Sequence, residues 1–286
     1  MSPAPRRWRR SPWLRATAVW HGAAVLLTLY QPRWWPWTLA AVVANHLLLI
    51  VLGLVPRSHV LGSNWTCLPG KHPGAAGGSV AITIDDGPDP QITPQVLQIL
   101  AAHGARATFF CIGQQAERFP ALAGQCVAAG HALENHSYAH PLYFALLGPR
   151  RLRREIEHGQ RVIAQASGTL PRFFRAPAGL RNPWLDPVLQ RLGLQLVSWT
   201  RRGFDTVSTE PARVLARLTR NLRAGDILLL HDGHAAHGRD GEAVILEVLP
   251  RLLNELAQRG LRTVTLREWL PTVAPPASIG QRPPSP

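Results

Sequence analysis

Two long apolar runs open the chain, and a strand–helix alternation fills most of the remainder. The first run, residues 16–30, is interrupted by His21 and a few small polar residues; the second, residues 38–55, contains Asn45 and His46. Each is near the ~17–20 residues that cross a hydrocarbon core. Between them, residues 31–37 read Gln-Pro-Arg-Trp-Trp-Pro-Trp, which puts Trp34, Trp35 and Trp37 where interfacial aromatics belong. This pattern predicts a helical hairpin in a membrane. A secretory signal fits poorly, because no small-residue cleavage site follows Tyr30 and a second apolar run comes at once. His21, Asn45 and His46 at that depth read as helix-to-helix hydrogen bonds.

Residues 56–78 hold Pro56, Pro69, Pro73 and the stretch Gly74-Ala75-Ala76-Gly77-Gly78, a linker composition. Beyond them, strand-like apolar runs at 80–85, 106–111, 131–135, 172–175, 194–199, 226–231 and 262–266 alternate with helical stretches. The helices are expected at about 93–103, 115–129, 149–167, 183–191, 211–223 and 241–259. Alternation of this kind predicts an α/β fold with a parallel sheet or barrel. Chemistry in such barrels gathers at the C-terminal ends of the strands. The expected layout is a membrane anchor over 1–55, a linker over 56–78, the barrel over 79–270 and a disordered Pro/Ser-rich tail over 271–286.

Composition sharpens this picture. Hydrophobic residues make up 46% of the chain and charged ones only 17%, consistent with a part in lipid. The formal charge of +14 favours anionic partners such as lipid headgroups or phosphorylated substrates. No nucleic-acid-reading motif is found, so no nucleic acid partner is expected, and none of the chain calls for a protein partner. Arg6, Arg7, Arg9, Arg10 and Arg15 precede the first run, against Arg33 alone in the connecting loop. Positive residues stay inside, so two crossings would return the barrel to the cytoplasmic side of the inner membrane. If the first run lies in the interface instead, the barrel faces outward. Cys67, Cys111 and Cys126 form no disulfide framework, and the last two read as core.

Chemically apt groups follow the strands. Asp85 and Asp86, then Gly87-Pro88, close the first; adjacent carboxylates can divide into metal ligand and water-holder, or be a plain turn. His136 and His140 follow the third at a spacing of four, which on a helical turn lets both imidazoles grip one ion. Arg175 ends the fourth and can clamp a carboxylate or an anion. Asp205 lies six residues after Trp199, and His231 closes the sixth, poised as a general acid or base. His234 and His237 read as a polar loop without a role.

Thr83-Ile84-Asp85-Asp86-Gly87-Pro88, His136-Ser137-Tyr138-Ala139-His140, Arg175-Ala176-Pro177-Ala178-Gly179, Trp199 through Asp205 and Ile227-Leu228-Leu229-Leu230-His231 resemble, in order, the five motifs of the polysaccharide deacetylases. These form the NodB-homology group, carbohydrate esterase family 4. Ala107 to Gly113 resembles the family's second strand, and the likeness spans about residues 79–267. The resemblance implies a distorted (β/α)7 barrel of the NodB-homology type, preceded here by the two hydrophobic helices. It implies Asp85 as base, a divalent metal, often zinc, held by Asp86, His136 and His140, Arg175 orienting Asp85, Asp205 tuning the histidine, and His231 as general acid. Two departures stand out. Ala178 replaces the usual aromatic after the motif proline, so the groove should be wider or built differently there. Phe204 and Thr206 flank Asp205, where an acid and a tryptophan are usual.

The function expected is therefore metal-dependent removal of an N-acetyl group from an amino sugar, with a glycan or glycolipid as substrate and membrane lipid as a partner. An oxyanion donor is expected from a backbone N–H near Tyr138. A deformylase acting on a formamido sugar-lipid, and an inactive glycan-binding barrel, are the alternatives.

Overall fold

The computed structural model describes residues 11–70 and 78–270. Its sheet begins with β1, Ser79–Asp85, in which every residue is buried. Side chains alternate across a strand. Val80, Ile82 and Ile84 therefore face the helices, whereas Ala81 joins Phe110, Phe173 and Ile227 inside the barrel. The other strands are β2 (Ala107–Cys111), β3 (Ala132–Asn135), β4 (Phe173–Phe174), β5 (Gln195–Leu196), β6 (Arg201–Arg202), β7 (Ile227–His231) and β8 (Arg262–Thr263). They run in parallel in the order β5-β4-β3-β2-β1-β7-β6, with β8 added to the start of β1. The sheet curls into an incomplete α/β barrel. β6, two residues long on the β7 edge, leaves no mark in the apolar pattern because both its residues are arginines.

Register places the chemistry. Asp85 pairs beside Phe110 and His231, Cys111 beside Asn135, and Asn135 beside Phe174. The residues that end or follow these strands, Asp85, Asp86, His136, Arg175 and His231, therefore meet at one rim.

Helices α3 (Ile92–Ala102), α6 (Pro149–Ser167), α7 (Leu185–Leu192), α8 (Pro211–Thr219) and α9 (Val244–Gln258) cover the sheet. The single helix expected over 115–129 is two, α4 (Gly113–Arg118) and α5 (Pro120–Ala128). Proline disfavours a helical residue before it, and Phe119 accordingly leaves the helical region at φ −127°, ψ 57°. Glycines in the left-handed region, Gly168 and Gly193, end α6 and α7.

Ahead of the barrel, α1 (Pro12–Tyr30) and α2 (Trp35–Gly53) lie antiparallel. Thr28 and Thr38 share a 2.7 Å hydroxyl hydrogen bond, Thr17 donates to Asn45 at 3.4 Å, and the His21 and His46 rings meet edge-on at 5.0 Å. The polar groups at this depth thus face one another. By length and composition, however, one helix and not two among the described residues can cross a membrane: the 22 residues Pro32–Gly53. Arg15, Thr17, His21 and Thr28 dilute α1, and the expected two crossings are corrected to this one candidate span.

Residues 56–70 are packed rather than loose. Leu61 and Leu68 are buried. The Trp65 amide donates to Leu196 at 2.9 Å, its carbonyl accepts from Ser198 at 2.8 Å, and the Leu68 amide donates to Gly225 at 2.8 Å. The segment acts as an extra stave between β5 and the start of β7. Arg6, Arg7, Arg9 and Arg10, most of the glycine stretch (residues 71–77) and the tail over 271–286 lie outside the described residues.

Candidate active site

Asp85 is the last residue of β1, and period two puts it on the barrel's inner face with Thr83. Arg175 reaches the same face from the end of β4 and is 1% exposed. Its Nη1 donates to Asp85 Oδ1 at 2.6 Å and to Thr83 Oγ1 at 2.8 Å, Nη2 to the Ser198 carbonyl at 2.9 Å, and Nε to Val197 at 3.3 Å. The guanidinium also lies 4.1 Å over the Phe110 ring. A planar fork so fully bonded fixes one carboxylate oxygen of Asp85 and leaves the other, Oδ2, toward the rim, 3.7 Å from His136 Nε2.

Asp86 departs from the strand by taking a left-handed backbone, φ 76°. That torsion brings a carboxylate that would otherwise point away onto the same site. Among the described residues seven non-glycine positions have positive φ, and six of them (Asp86, Ser137, His140, Ala178, Phe204, His234) sit in the loops of this rim. Strain of this kind costs about 1–3 kcal/mol per residue and is held by the surrounding packing. Two glycines permit the close approach: a Cβ on Gly87 would collide with the Asp232 carboxylate, and one on Gly233 would lie 2.5 Å from the Asp86 carbonyl.

Asp86, His136 and His140 converge, with one ligand atom each within 4.8 Å of one another. The His136 Nδ1 faces the Arg175 carbonyl at 2.8 Å. A carbonyl only accepts, so Nδ1 carries the proton and Nε2 offers a lone pair. Nε2 lies 3.3 Å from Asp86 Oδ1, and His140 Nε2 lies 3.4 Å from the same oxygen. Asp86 Oδ1 is buried and accepts no hydrogen bond. Donor atoms ~2.0–2.1 Å from a tetrahedral divalent ion sit roughly 3.3 Å apart, so this donor set fits such a cation. Burial, then the neighbouring His136, pushes the His140 imidazole down to about 4, so it is neutral and has a lone pair to offer. Burial raises Asp86, but the imidazoles of His136 and His234 more than offset it and hold the carboxyl well below its ordinary range.

Across the rim, Asp205 is fully buried under β7. Its Oδ2 accepts the His231 amide at 2.7 Å and its Oδ1 lies 2.9 Å from His231 Nδ1. Burial works against a charged His231, yet the Asp205 hydrogen bond and charge prevail and raise the imidazole above its ordinary value. The departures around Asp205 do not displace it: Phe204 turns outward at φ 61°, with the Arg202 and Arg217 guanidinium groups over its ring.

All seven expected site residues thus lie in one rim. Four features escaped the sequence. His234, read as part of a loop without a role, places Nδ1 3.3 Å from Asp86 Oδ2. Glu155 on α6 accepts the amides of Tyr138 and Ala139 at 3.1 and 2.6 Å. It pins the His136–His140 turn and corrects the expected oxyanion donor, because the Tyr138 N–H is already given to Glu155. Buried Asp232, which accepts from Thr93 Oγ1 at 2.5 Å, is pushed up to about 7 by burial. Ser137, in the left-handed region, caps the turn by accepting the His140 amide at 3.0 Å. No signal in the sequence ties Glu155 to a turn 16 residues away; its charged helix reads as a solvated face.

Known proteins resemble the chain in sequence and in fold. The sequence profile of the family described as polysaccharide deacetylase matches residues 73–197. A peptidoglycan-N-acetylglucosamine deacetylase of Bacillus cereus is 36% identical over 193 residues, 67% of this chain and 87% of the relative. A chitooligosaccharide deacetylase of Azorhizobium caulinodans is 36% identical over 189 residues, 64% of this chain and 90% of the relative. Among solved structures, a family 4 carbohydrate esterase from Streptomyces lividans in complex with acetate superposes with TM-score 0.59 at 35% identity, covering 65% of this chain and 91% of that one.

Proposed function

The chain belongs to the polysaccharide deacetylase family, a group of carbohydrate amide hydrolases, and from that premise we propose that it removes the N-acetyl group from an amino sugar of a glycan or lipid-linked saccharide at a membrane surface. A buried carboxylate oxygen without a hydrogen-bond partner, facing two imidazole nitrogens at 3.3 and 3.4 Å, is the observation that carries this reading. Asp86, His136 and His140 would hold a divalent cation, zinc being the first candidate for an Asp/His donor set. When bound, that cation supplies Lewis-acid polarisation of the amide carbonyl and acidifies water.

The chain's own groups do the rest. Asp85, one oxygen locked by Arg175, uses the other to take a proton from the attacking water. His231, kept protonated by Asp205, delivers a proton to the departing sugar amine. Buried Arg175 and Asp205 set orientation and protonation without touching substrate. A candidate span packed beside the barrel suits a sugar carried on a lipid. The single candidate span favours a second reading of the substrate's place, with the barrel facing outward onto peptidoglycan or another secreted glycan.

Acetate release tests the proposal. Stripping divalent cations with a chelator should lower deacetylation of chitooligosaccharide or an amino-sugar lipid by at least ~10²-fold, the worth of a few kcal/mol of Lewis-acid stabilisation, and re-addition should restore it. Unchanged turnover after chelation would refute the metal assignment. Formate rather than acetate, released from a formamido analogue alone, would identify a deformylase.

A further inference from the structure

The rim that carries the site also carries the most exposed large apolar side chains of the barrel. Directly after His140, Leu142 is 95% exposed, Leu146 85% and Tyr143 60%, while Phe144 and Leu147 are buried. Apolar side chains clustered this way on the outside of a folded barrel mark a contact surface. The chain then enters α6, whose first turns present Arg150, Arg151, Arg153 and Arg154 on the exposed surface. Of these, Arg153 pairs with Glu157 at 3.4 Å, and the other three have no carboxylate partner among the described residues. Apolar prongs beside unpaired arginines suit an anionic bilayer interface: the side chains enter the headgroup zone and the guanidinium groups meet phosphate.

The position of α2 places that interface here. Gly53, the last residue of α2, accepts the Arg181 amide at 3.1 Å, and the Arg181 guanidinium bonds the Ser58 carbonyl. Its neighbour Asn182 donates from Nδ2 to the Ala145 and Leu147 carbonyls, both at 2.9 Å. These contacts tie the end of the candidate span directly to the loop that bears Leu142 and Leu146. Trp184, two residues beyond Asn182 and 54% exposed, continues the apolar surface. A span that stops at Gly53 sets the water boundary at that level, and the loop is held next to it.

We propose that loop 141–147 and the first turns of α6 rest on an anionic membrane surface, so that the mouth of the site opens onto the headgroup layer. The inference builds on the membrane-surface reading above. Its consequence is a preference for amino sugars displayed at the bilayer over the same sugars free in water.

The test uses the full chain in vesicles with and without phosphatidylglycerol. Cys67 is the exposed cysteine and Cys111 and Cys126 are buried, so Leu142→Cys in a Cys67→Ser background takes an environment-sensitive dye at one place. With anionic lipid, the dye should shift to the blue and be quenched by nitroxide-labelled lipid. Replacing Arg150, Arg151 and Arg154 by Gln should weaken both effects. The double change Leu142→Glu and Leu146→Glu should slow acetate release from a bilayer-embedded amino-sugar lipid roughly tenfold and leave soluble chitooligosaccharide within about twofold. A dye that stays water-exposed in anionic vesicles overturns the proposal. Equal losses on both substrates also overturn it, because the loop would then line the glycan groove. Failure of the deacetylase reading looks different: the unaltered chain would release acetate from neither substrate.

Discussion

A single backbone torsion at Asp86 separates an ordinary Asp-Asp turn from a cluster that could hold a cation. The sequence revealed the residue types, and with them both carboxylates, both histidines of that cluster and the histidine at the end of β7. It could not reveal φ 76°, which depends on Gly87 and Gly233 leaving room for the turn. In their proposed roles, Asp85→Asn and His231→Ala should each cost about 10²–10⁴-fold in turnover while thermal unfolding stays near that of the parent, since each would remove one positioned proton transfer; an acetate-release assay measures this. Asp205→Asn has a more particular signature. Asp205 raises the His231 pKa, and His231 in its proposed role acts as an acid only while protonated, so activity should fall as pH rises through that value. Removing the charge lowers it, and the alkaline limb of the pH–rate profile should move to lower pH. A limb that stays in place would mean another group sets it.

Periodicity made the elements readable and near-contacts made them specific. The strand runs and the long helices followed apolar spacing closely. The exceptions have local causes: Pro120 split one expected helix, and β6 consists of two arginines held by pairing to β7 rather than by burial. The packing of α6 against the histidine turn left no trace in the spacing, because it runs through a glycine. A Cβ on Gly159 would lie 2.9 Å from the Ser137 backbone and 3.0 Å from Asn135 Oδ1. Alanine inside a helix ordinarily gains about 1 kcal/mol over glycine, but overpacking here should cost about 1–3 kcal/mol. Gly159→Ala is therefore expected to unfold at lower temperature and to gain less thermal protection from added divalent cation. Gly124→Ala in α5, where the nearest atom is 3.7 Å away, should be neutral or stabilising and serves as the control.

For the molecule as a whole, the hydrophobic runs forecast the N-terminal helices, while their membrane disposition follows from lengths and side chains at margins that a run of apolar residues does not resolve. With 32–53 as the span, and arginines retained on the cytoplasmic side, one crossing carries the barrel outward and two return it. A reporter fused to the C-terminus that is active on the outer side alone supports one crossing and a secreted glycan; activity on the cytoplasmic side alone supports the hairpin and a carrier-linked sugar. The packed stretch over 56–70 was unreadable as structure because its prolines and small residues imitate a tether, and its order comes from partners more than a hundred residues away, at Ser198 and Gly225.

That stretch bears on how the enzyme is to be handled at the bench. A soluble version trimmed at Ser79, the natural cut if 56–78 were only a leash, would discard Trp65 and Leu68 and open the barrel's lower hydrophobic cluster, where both pack with Phe173, Val197 and Val264. A version begun just after the last residue of α2 would shed the greasy helices and keep that wall.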